Sequence, residues 1–166
     1  MMKKIKIFIV LLVLFLSVSA VSAEGNFTAL QSEINSGTGS INLTQNYVYN
    51  NESDGNLSGG IVINTSNIVI NGNGFTIDGA NQARIFSNVA NNITINNLTL
   101  INGKAAAGSA IRVELNSSLI TTNVIFENNT ASIAPNILNL GQYTSINDNS
   151  SGKIAVTFII IHIVLC

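Results

Sequence analysis

The sequence has little charge, one cysteine and no tryptophan. Lysine, arginine, aspartate and glutamate make up 9% of the 166 residues. Because Cys166 is the only cysteine, no disulfide can form within the chain, and we expect stability to come from packing and hydrogen bonds. The seven basic residues do not exceed the eight acidic ones. We therefore predict that nucleic acid is not a partner, since binding a phosphate backbone requires a basic surface.

The N-terminus has the pattern of a secretory signal peptide. Three lysines among the first six residues precede an apolar run at 7–16, and small residues follow as far as Ala23. This order predicts a signal peptide at 1–23 that is cleaved before Glu24. The alternative is an uncleaved membrane anchor, although the run is shorter than the ~20 residues of a spanning helix. Cleavage would leave four basic and eight acidic residues, a net charge of −4.

The remaining sequence repeats with a period near 26 residues. The segment "ITINNLTLING" from Ile93 aligns with "LITTNVIFENN" from Leu119 at a constant offset of 26, and "IVINGNGFTIDG" from Ile68 is an earlier copy. A second series with the same period consists of Ile61, Ile85, Ile111 and Ile137. Repetition at a fixed period of this length is typical of stacked-repeat folds.

Each repeat contains three short stretches of alternating apolar and polar residues, separated by Gly, Asn and Ser. Such alternation predicts half-buried strands, and no segment of helix length lies between copies. An antiparallel sandwich does not require a side chain to recur every 26 residues, whereas a coil of three strands per turn does. We therefore predict an all-β fold, a single-stranded parallel β-helix of three to four coils of about 24–26 residues.

The pattern also predicts the core, a capping helix and the domain boundaries. Asn26 is placed as N-cap of a short helix whose apolar face covers the first coil. We assign residues 24–57 to this N-terminal cap, 58–150 to the coils and 151–166 to an apolar tail. The apolar face of the helix consists of Phe27, Leu30 and Ile34. The inward positions of the strands are predicted to be Ile61, Ile63, Ile68, Ile70, Phe75, Ile77, Ile93, Ile95, Leu98, Leu100, Ile111, Val113, Val124 and Phe126.

Asparagine is frequent where the repeats turn. In a stack of coils, an amide side chain can donate to and accept from the equivalent amide one coil away, whereas equal charges would repel. Asparagine also tolerates the left-handed backbone of tight corners. We predict two structural ladders in these corners, in which Asn97 and Asn128 are buried. One consists of Asn73, Asn97, Asn123 and Asn149, and the other of Asp78, Asn102 and Asn128.

The segments "FTALQSEIN", "GIVINTSNIVINGNGFTIDGANQARIF", "NNITINNLTLING" and "LITTNVIFENN" resemble the N-terminal region of adhesin-like surface proteins of methanogenic archaea. They are more distantly similar to the polymorphic outer-membrane repeats of chlamydiae. The resemblance covers about residues 26–145. It implies a right-handed parallel β-helix of the pectin-lyase-like kind, exported to the cell surface and without a catalytic centre. Members are usually longer, so the resemblance also implies that this chain corresponds to a fragment of a longer adhesin.

The same fold hosts polysaccharide lyases and hydrolases, which need paired or clustered carboxylates. No two acids adjoin in the sequence, and Glu114 and Glu127 lie half a period apart, which predicts different sides of the molecule. Arg84 and Arg112 are expected to form a solvated pair on neighbouring coils. We therefore assign no catalytic, cofactor-binding or metal-binding residues and predict that the protein is not an enzyme.

Ten Asn-x-Ser/Thr sequons occur, and Asn51, Asn56 and Asn116 lie in loop-like sequence. We predict these three as the first glycosylation sites, in preference to Asn97 and Asn128 in the corners.

The tail at 151–166 is open to three interpretations: a last buried strand, the remnant of a membrane anchor, or out-of-frame sequence at a gene end.

Together these features predict a secreted or surface-displayed, adhesin-like protein that contacts cell-surface glycans or envelope proteins. Membrane association is expected only through the tail. The alternatives are a polysaccharide lyase or hydrolase of the same fold, and a structural spacer of the cell envelope.

Overall fold

The computed structural model describes residues 24–151 and the backbone of 155–157, so the predicted signal peptide and most of the tail lie outside the described residues. Sixteen short strands and two helices follow one another in this part of the chain. The helices are α1 (Phe27–Ser36) and α2 (Asn51–Asp54), the latter continued by a 3₁₀ turn at Gly55–Leu57. The strands are β1 (Gly25–Asn26), β2 (Ser40–Asn42), β3 (Tyr47–Val48), β4 (Ile61–Ile63), β5 (Val69–Asn71), β6 (Thr76–Asp78), β7 (Phe86–Asn88), β8 (Ile93–Asn96), β9 (Thr99–Ile101), β10 (Ile111–Val113), β11 (Ser118–Thr122), β12 (Ile125–Glu127), β13 (Ile137–Asn139), β14 (Gln142–Ile146), β15 (Asn149–Ser150) and β16 (Ala155–Thr157).

The strands form three parallel sheets. Sheet 1 has the order β1-β3-β6-β9-β12-β15, sheet 2 has β2-β5-β8-β11-β14, and sheet 3 has β4-β7-β10-β13-β16. From β2 onwards, each strand pairs in parallel with the strand three positions later, so the chain visits sheets 3, 2 and 1 in rotation. The prediction of a mostly-β protein with few helices and three strands per repeat is confirmed.

The register corrects one of the two sequence series. Ile61 pairs with Phe86, Phe86 with Ile111, and Ile111 with Ile137. The series read from isoleucines alone placed Ile85 in this column and was therefore one residue out. The error arose because Ile85 and Phe86 are both fully buried, although only Phe86 lies in the strand. The carbonyl of Ile85 instead accepts the Ile61 N–H at 2.9 Å.

The predicted core is confirmed with one exception. All the predicted inward side chains are buried except Phe75, which is half-buried and packs against the core. The core is richer than the alternation indicated, because Leu43, Tyr47 and Phe86 are also fully buried. β-branched and aromatic side chains suit strands, and those on paired strands stack on one another.

The predicted helix at the N-terminus is confirmed. Helix α1 buries Phe27, Leu30 and Ile34 completely. The Asn26 side chain caps it by accepting the Ala29 N–H at 2.8 Å, which satisfies a donor that has no partner within the helix. The segment 24–57 is more than a cap, however, because β1, β2 and β3 also lie within it and pair with later strands.

Asparagines hold the left-handed turn that follows each strand of sheet 2 from β5 onwards. Asn73, Asn97 and Asn123 have φ values of 52°, 48° and 54°. The fourth member of this series is Asn147, with φ 54°, and the prediction of Asn149 was wrong. Asn149 lies in β15 opposite Ile125. The reason is length: Thr122 pairs with Ile146, so the last repeat is shorter here than the period of 26.

Beside this series, amide–amide hydrogen bonds between repeats join the strand residues that precede the turn. Asn71 Nδ2 donates to Asn42 Oδ1 at 2.8 Å, and Asn96 Nδ2 donates to Asn71 Oδ1 at 3.2 Å. Asn73, Asn97 and Asn123, by contrast, are exposed and do not bond to one another, so the ladder predicted from them was wrong, as was the predicted burial of Asn97. After the strands of sheet 2, therefore, the left-handed asparagines shape the turn and the strand residues just before it bond amide to amide. At another corner, the left-handed Asn67 and Asn92 do bond to each other across repeats.

The second predicted ladder is partly formed. Asn102 Nδ2 donates to both carboxylate oxygens of Asp78 at 3.1 Å, as a ladder contact requires. Asn102 and Asn128 share a left-handed φ of 53°, but Asn128 is exposed. Asp78 itself pairs with Ile101, one position before Asn102. This column is therefore a turn motif with one carboxylate–amide contact.

Candidate functional site

The acidic side chains are dispersed over the molecule. Glu114 follows β10 in sheet 3 and Glu127 lies in β12 of sheet 1, so the two are on different sheets, as their half-period spacing predicted. Within residues 24–151 no group of three or more His, Cys, Asp or Glu side chains is placed to hold a metal ion.

Two arginines lie in or next to the strands of sheet 3, and their surroundings differ. Arg84 comes just before β7, and Arg112 lies in β10. Arg84 is half-buried and donates to three backbone carbonyls: Nε to Gly108 at 2.9 Å, Nη1 to Gly59 at 2.8 Å and Nη2 to Ala107 at 3.1 Å. Burial, together with the nearby charge of Arg112, lowers the pKa of Arg84 from its ordinary value. Arg112 pairs with Glu114, its Nε lying 2.7 Å from the carboxylate. The expected solvated pair is therefore wrong for Arg84, which joins consecutive connecting loops.

The buried carboxylate of Asp54 organises the N-terminal end. Its oxygens accept the N–H groups of Phe27 at 3.1 Å, Thr28 at 2.9 Å and Asn50 at 2.8 Å, and the Thr28 hydroxyl at 2.7 Å. Burial alone would raise the pKa of Asp54, but these hydrogen bonds favour the carboxylate and hold the pKa below its usual value. Two of the N–H groups belong to the first turn of α1, where a negative charge is also favoured by the helix dipole.

The core positions become polar in the last repeat. In sheet 2, Leu119 pairs with Tyr143, and the buried Thr121 pairs with Ser145. Asp148 follows at the position that Val124 holds one repeat earlier, and it accepts the Val124 N–H at 2.8 Å. The hydroxyls of Thr121, Tyr143 and Ser145 all donate to Asp148 Oδ2.

Tyr143 belongs to this polar cluster, which satisfies its own hydrogen bonds. Burial of the phenol raises the pKa of Tyr143 to about 12, and the Asp148 carboxylate beside it adds to the shift. Because the tyrosine stays protonated over the physiological range, it remains a hydrogen-bond donor. The cluster therefore takes the place of apolar core side chains along β14 and in the turn that follows it.

The outer face of sheet 2 carries no charge. None of its five strands contains an Asp, Glu, Lys or Arg residue. Sheet 1 carries Asp78 and Glu127, and sheet 3 carries Arg112. Equivalent positions of sheet 2 line up in columns across its strands. One column is Ser40, Val69, Thr94, Ile120 and Thr144. A second is Asn42, Asn71, Asn96, Thr122 and Ile146.

Two adjoining clefts lie on and beside this uncharged face. The first, of about 400 Å³, lies between the turn containing Leu115 and Asn116 and the start of β14. The second, of about 180 Å³, lies over Ile120 and Thr144. Gln142 lines both clefts, and we refer to the two together as the sheet 2 groove.

A third cleft, of about 570 Å³, lies at the opposite end of the molecule beside α1 and α2. Its walls include Glu24, Glu52, Tyr49 and Gln82. The cleft contains two acidic side chains and no basic one, so a neutral or cationic ligand would suit it better than an anion.

The three predicted glycosylation sites are all at the surface. Asn51 lies at the start of α2, Asn56 in the 3₁₀ turn and Asn116 beside the sheet 2 groove, and each is exposed. Asn97 and Asn128 are exposed as well. The burial that was expected to protect the latter two sequons is therefore absent, and exposure does not separate the two groups.

Comparisons with protein-family models, with curated proteins and with solved structures find no match to this chain. Between residues 24 and 151 no helix has the length and apolar character needed to cross a membrane.

Proposed function

We propose that this chain is an exported, adhesin-like protein of the cell surface, in which the three sheets wind as a right-handed parallel β-helix. Its function is contact with cell-surface glycans or envelope proteins, without catalysis. The signal-peptide pattern at 1–23 supports export.

The strand order supports the winding. The chain passes through sheets 3, 2 and 1 in rotation, and every strand pairing within each sheet is parallel. A β-helix produces this order because each circuit of the chain lies against the previous one. Connections between parallel strands of one sheet are right-handed in the great majority of proteins, which favours the same hand here.

The uncharged outer face of sheet 2 is the observation that carries the proposed contact function. Amide and hydroxyl side chains repeat across its strands at the ~4.8 Å spacing of neighbouring strands. Asn71 and Asn96 already bond to each other across two strands, so these side chains are held in defined positions. Fixed donors and acceptors on a flat surface suit a partner rich in hydroxyl groups, because little side-chain entropy is lost on binding.

A binding assay with whole cells tests this function. The full-length chain would be labelled, and its binding to cells and isolated envelopes measured as a function of concentration. We expect saturable binding that unlabelled protein displaces. Linear, non-displaceable uptake would contradict an adhesin and would fit a structural spacer. Turnover of polygalacturonate or a related glycan by the same preparation would instead show the enzyme class.

A further inference from the structure

We propose that the sheet 2 groove is a binding site for a neutral linear polysaccharide, with Gln142 at its centre. The inference rests on the proposed surface function and names the ligand class and the face that takes it. Three observations carry it: free polar groups, an apolar floor and the absence of charge.

The groove contains amides that are available to a ligand. The side chains of Asn91, Asn116 and Gln142 are exposed and form no hydrogen bond within the part of the chain that the structure describes. Other amides on this face are already engaged; Asn92 Nδ2, for example, donates to Asn67 Oδ1 at 2.9 Å. An amide offers both donors and an acceptor, which matches the hydroxyl groups of a sugar.

The groove also has an apolar floor. Leu115 is 56% exposed and Ile120 is 37% exposed, among the largest exposed apolar side chains in the described region. The faces of sugar rings consist of C–H groups, so an exposed aliphatic side chain flanked by amides can pack against a ring while the amides bind its edges.

The charge pattern selects among glycans. No charged side chain lies on the strands that form the groove. Glu114, just before Leu115, is paired with Arg112 and is therefore compensated. A uronic acid or sulfated sugar would lose hydration at this face without gaining a cationic partner. The groove therefore favours uncharged sugars over pectate-like chains.

The columns of side chains across sheet 2 indicate how a bound polysaccharide would be oriented. Asn92 bonds through its N–H to the Ser118 hydroxyl at 2.7 Å, and Ser118 pairs with Gln142, so these positions follow one another across three strands. Neighbouring strands lie ~4.8 Å apart, close to the length of one hexose unit. A linear polysaccharide lying across the strands would present one sugar to each repeat.

Calorimetric titration with defined oligosaccharides tests the inference. The full-length chain is produced in a bacterial host that does not N-glycosylate proteins. It is titrated with cellohexaose, xylohexaose and mannohexaose, and in parallel with hexagalacturonate and a heparin hexasaccharide. We expect binding of at least one neutral hexasaccharide and of neither charged one.

Three variants locate the site: Gln142→Ala, and two isoleucine variants that lie in the same repeat. Ile120→Ser removes an apolar side chain from the groove. Ile125→Ser removes one of nearly equal exposure, 36% against 37%, from the outer face of sheet 1. We expect Gln142→Ala and Ile120→Ser each to weaken neutral-sugar binding by about fivefold to tenfold, the usual effect of losing one hydrogen bond or apolar contact. Ile125→Ser should bind like the wild type.

The results separate this inference from the proposed function. Saturable binding to cells without binding of any neutral hexasaccharide would overturn the groove and leave the adhesin function standing. Equal loss in Ile120→Ser and Ile125→Ser, or stronger binding of the charged sugars, would also overturn the groove. Absence of both cell binding and sugar binding would overturn both proposals.

Discussion

Gln31 and Val62 are joined by two hydrogen bonds between a side chain and the backbone. The Gln31 amide nitrogen donates to the Val62 carbonyl at 2.9 Å, and its oxygen accepts the Val62 N–H at 2.7 Å. Val62 is the middle residue of β4, the first strand of sheet 3. A glutamine of α1 therefore takes the place of a neighbouring strand and closes an edge that would otherwise be free to pair with another chain.

Gln31→Ala should destabilise the protein and make it prone to self-association. We expect a loss of about 1–2 kcal/mol in the free energy of unfolding, because two backbone groups lose their partners. Denaturant unfolding gives the stability, and light scattering gives the association. Ser32→Ala, on the exposed part of the same helix, is the control. Equal stability of the two variants would show that the glutamine does not protect the edge.

Asp54→Asn should lower the free energy of unfolding and remove part of the dependence of stability on pH. The folded pKa of Asp54 lies below its unfolded value, so its stabilising effect is complete above the unfolded pKa and is lost as the pH falls through the folded pKa. We expect a loss of about 2 kcal/mol at neutral pH, since an amide cannot accept all four hydrogen bonds.

The measurement for Asp54 is thermal unfolding between pH 7 and pH 2. The difference between wild type and Asp54→Asn should shrink as the solution is acidified through the unfolded pKa of ~4. The exposed neighbour Glu52 provides the control variant Glu52→Gln. A difference that stays constant over this range would contradict the charged capping role.

Arg84→Lys should destabilise the loops that Arg84 joins, despite keeping the charge. A lysine cannot direct donors at three carbonyls in different directions, so about 1–2 kcal/mol should be lost. Arg112→Lys keeps a charge beside Glu114 in a partly exposed ion pair and should cost less than about 1 kcal/mol. Urea unfolding of the two variants side by side provides the comparison, and the reverse order would refute the joining role.

Asn97→Ala and Asn97→Gly separate the two possible roles of the turn asparagines. If the role is to adopt the left-handed φ of 48°, alanine should cost about 1 kcal/mol and glycine little or nothing. If the amide instead bonded along a ladder, both substitutions would cost a similar amount. Unfolding free energies of the two variants therefore decide between backbone shape and side-chain bonding.

Glycosylation should follow the availability of the amide nitrogen. Asn26 Nδ2 donates to the Ser53 hydroxyl at 3.0 Å and Asn92 Nδ2 donates to Asn67, so these sequons should be modified least. In a glycosylating host, glycopeptide mass spectrometry should find Asn51, Asn56 and Asn116 occupied. A glycan on Asn116 would also block the sheet 2 groove. Modification of Asn26 or Asn92 ahead of those three sites would contradict this order.

The parts of the fold that depend on alternation and period could be predicted from the sequence. The inward residues, the helix N-cap at Asn26 and the rotation through three strands all follow from local patterns. The errors came from small changes in repeat length. The turn before β14 is two residues shorter than in the previous repeat, so the corner asparagine is Asn147 and not Asn149. Ile85 and Phe86 are adjacent and both apolar, and the isoleucine series selected Ile85 although Phe86 is the residue that pairs with Ile111.

The contacts of the polar side chains were much harder to predict. Gln31, Asp54 and Arg84 each bond to backbone groups that lie more than 20 residues away in sequence. No local pattern marks such a residue, because its partner is fixed only when the strands are in register. The sheet 2 groove has the same origin, since Leu115 and Gln142 become neighbours only after the repeats stack.

The polar cluster around Asp148 makes the two ends of the described region unequal. Helix α1 covers the N-terminal side of the described region with three completely buried apolar side chains, whereas β14 and the turn after it carry Tyr143, Ser145 and Asp148. Repeat proteins lose structure from their least stable end. Backbone amides of β14 and β15 should therefore exchange with deuterium first, and protection should rise repeat by repeat towards β4. Unfolding under heat or force should then proceed from β15 towards β4.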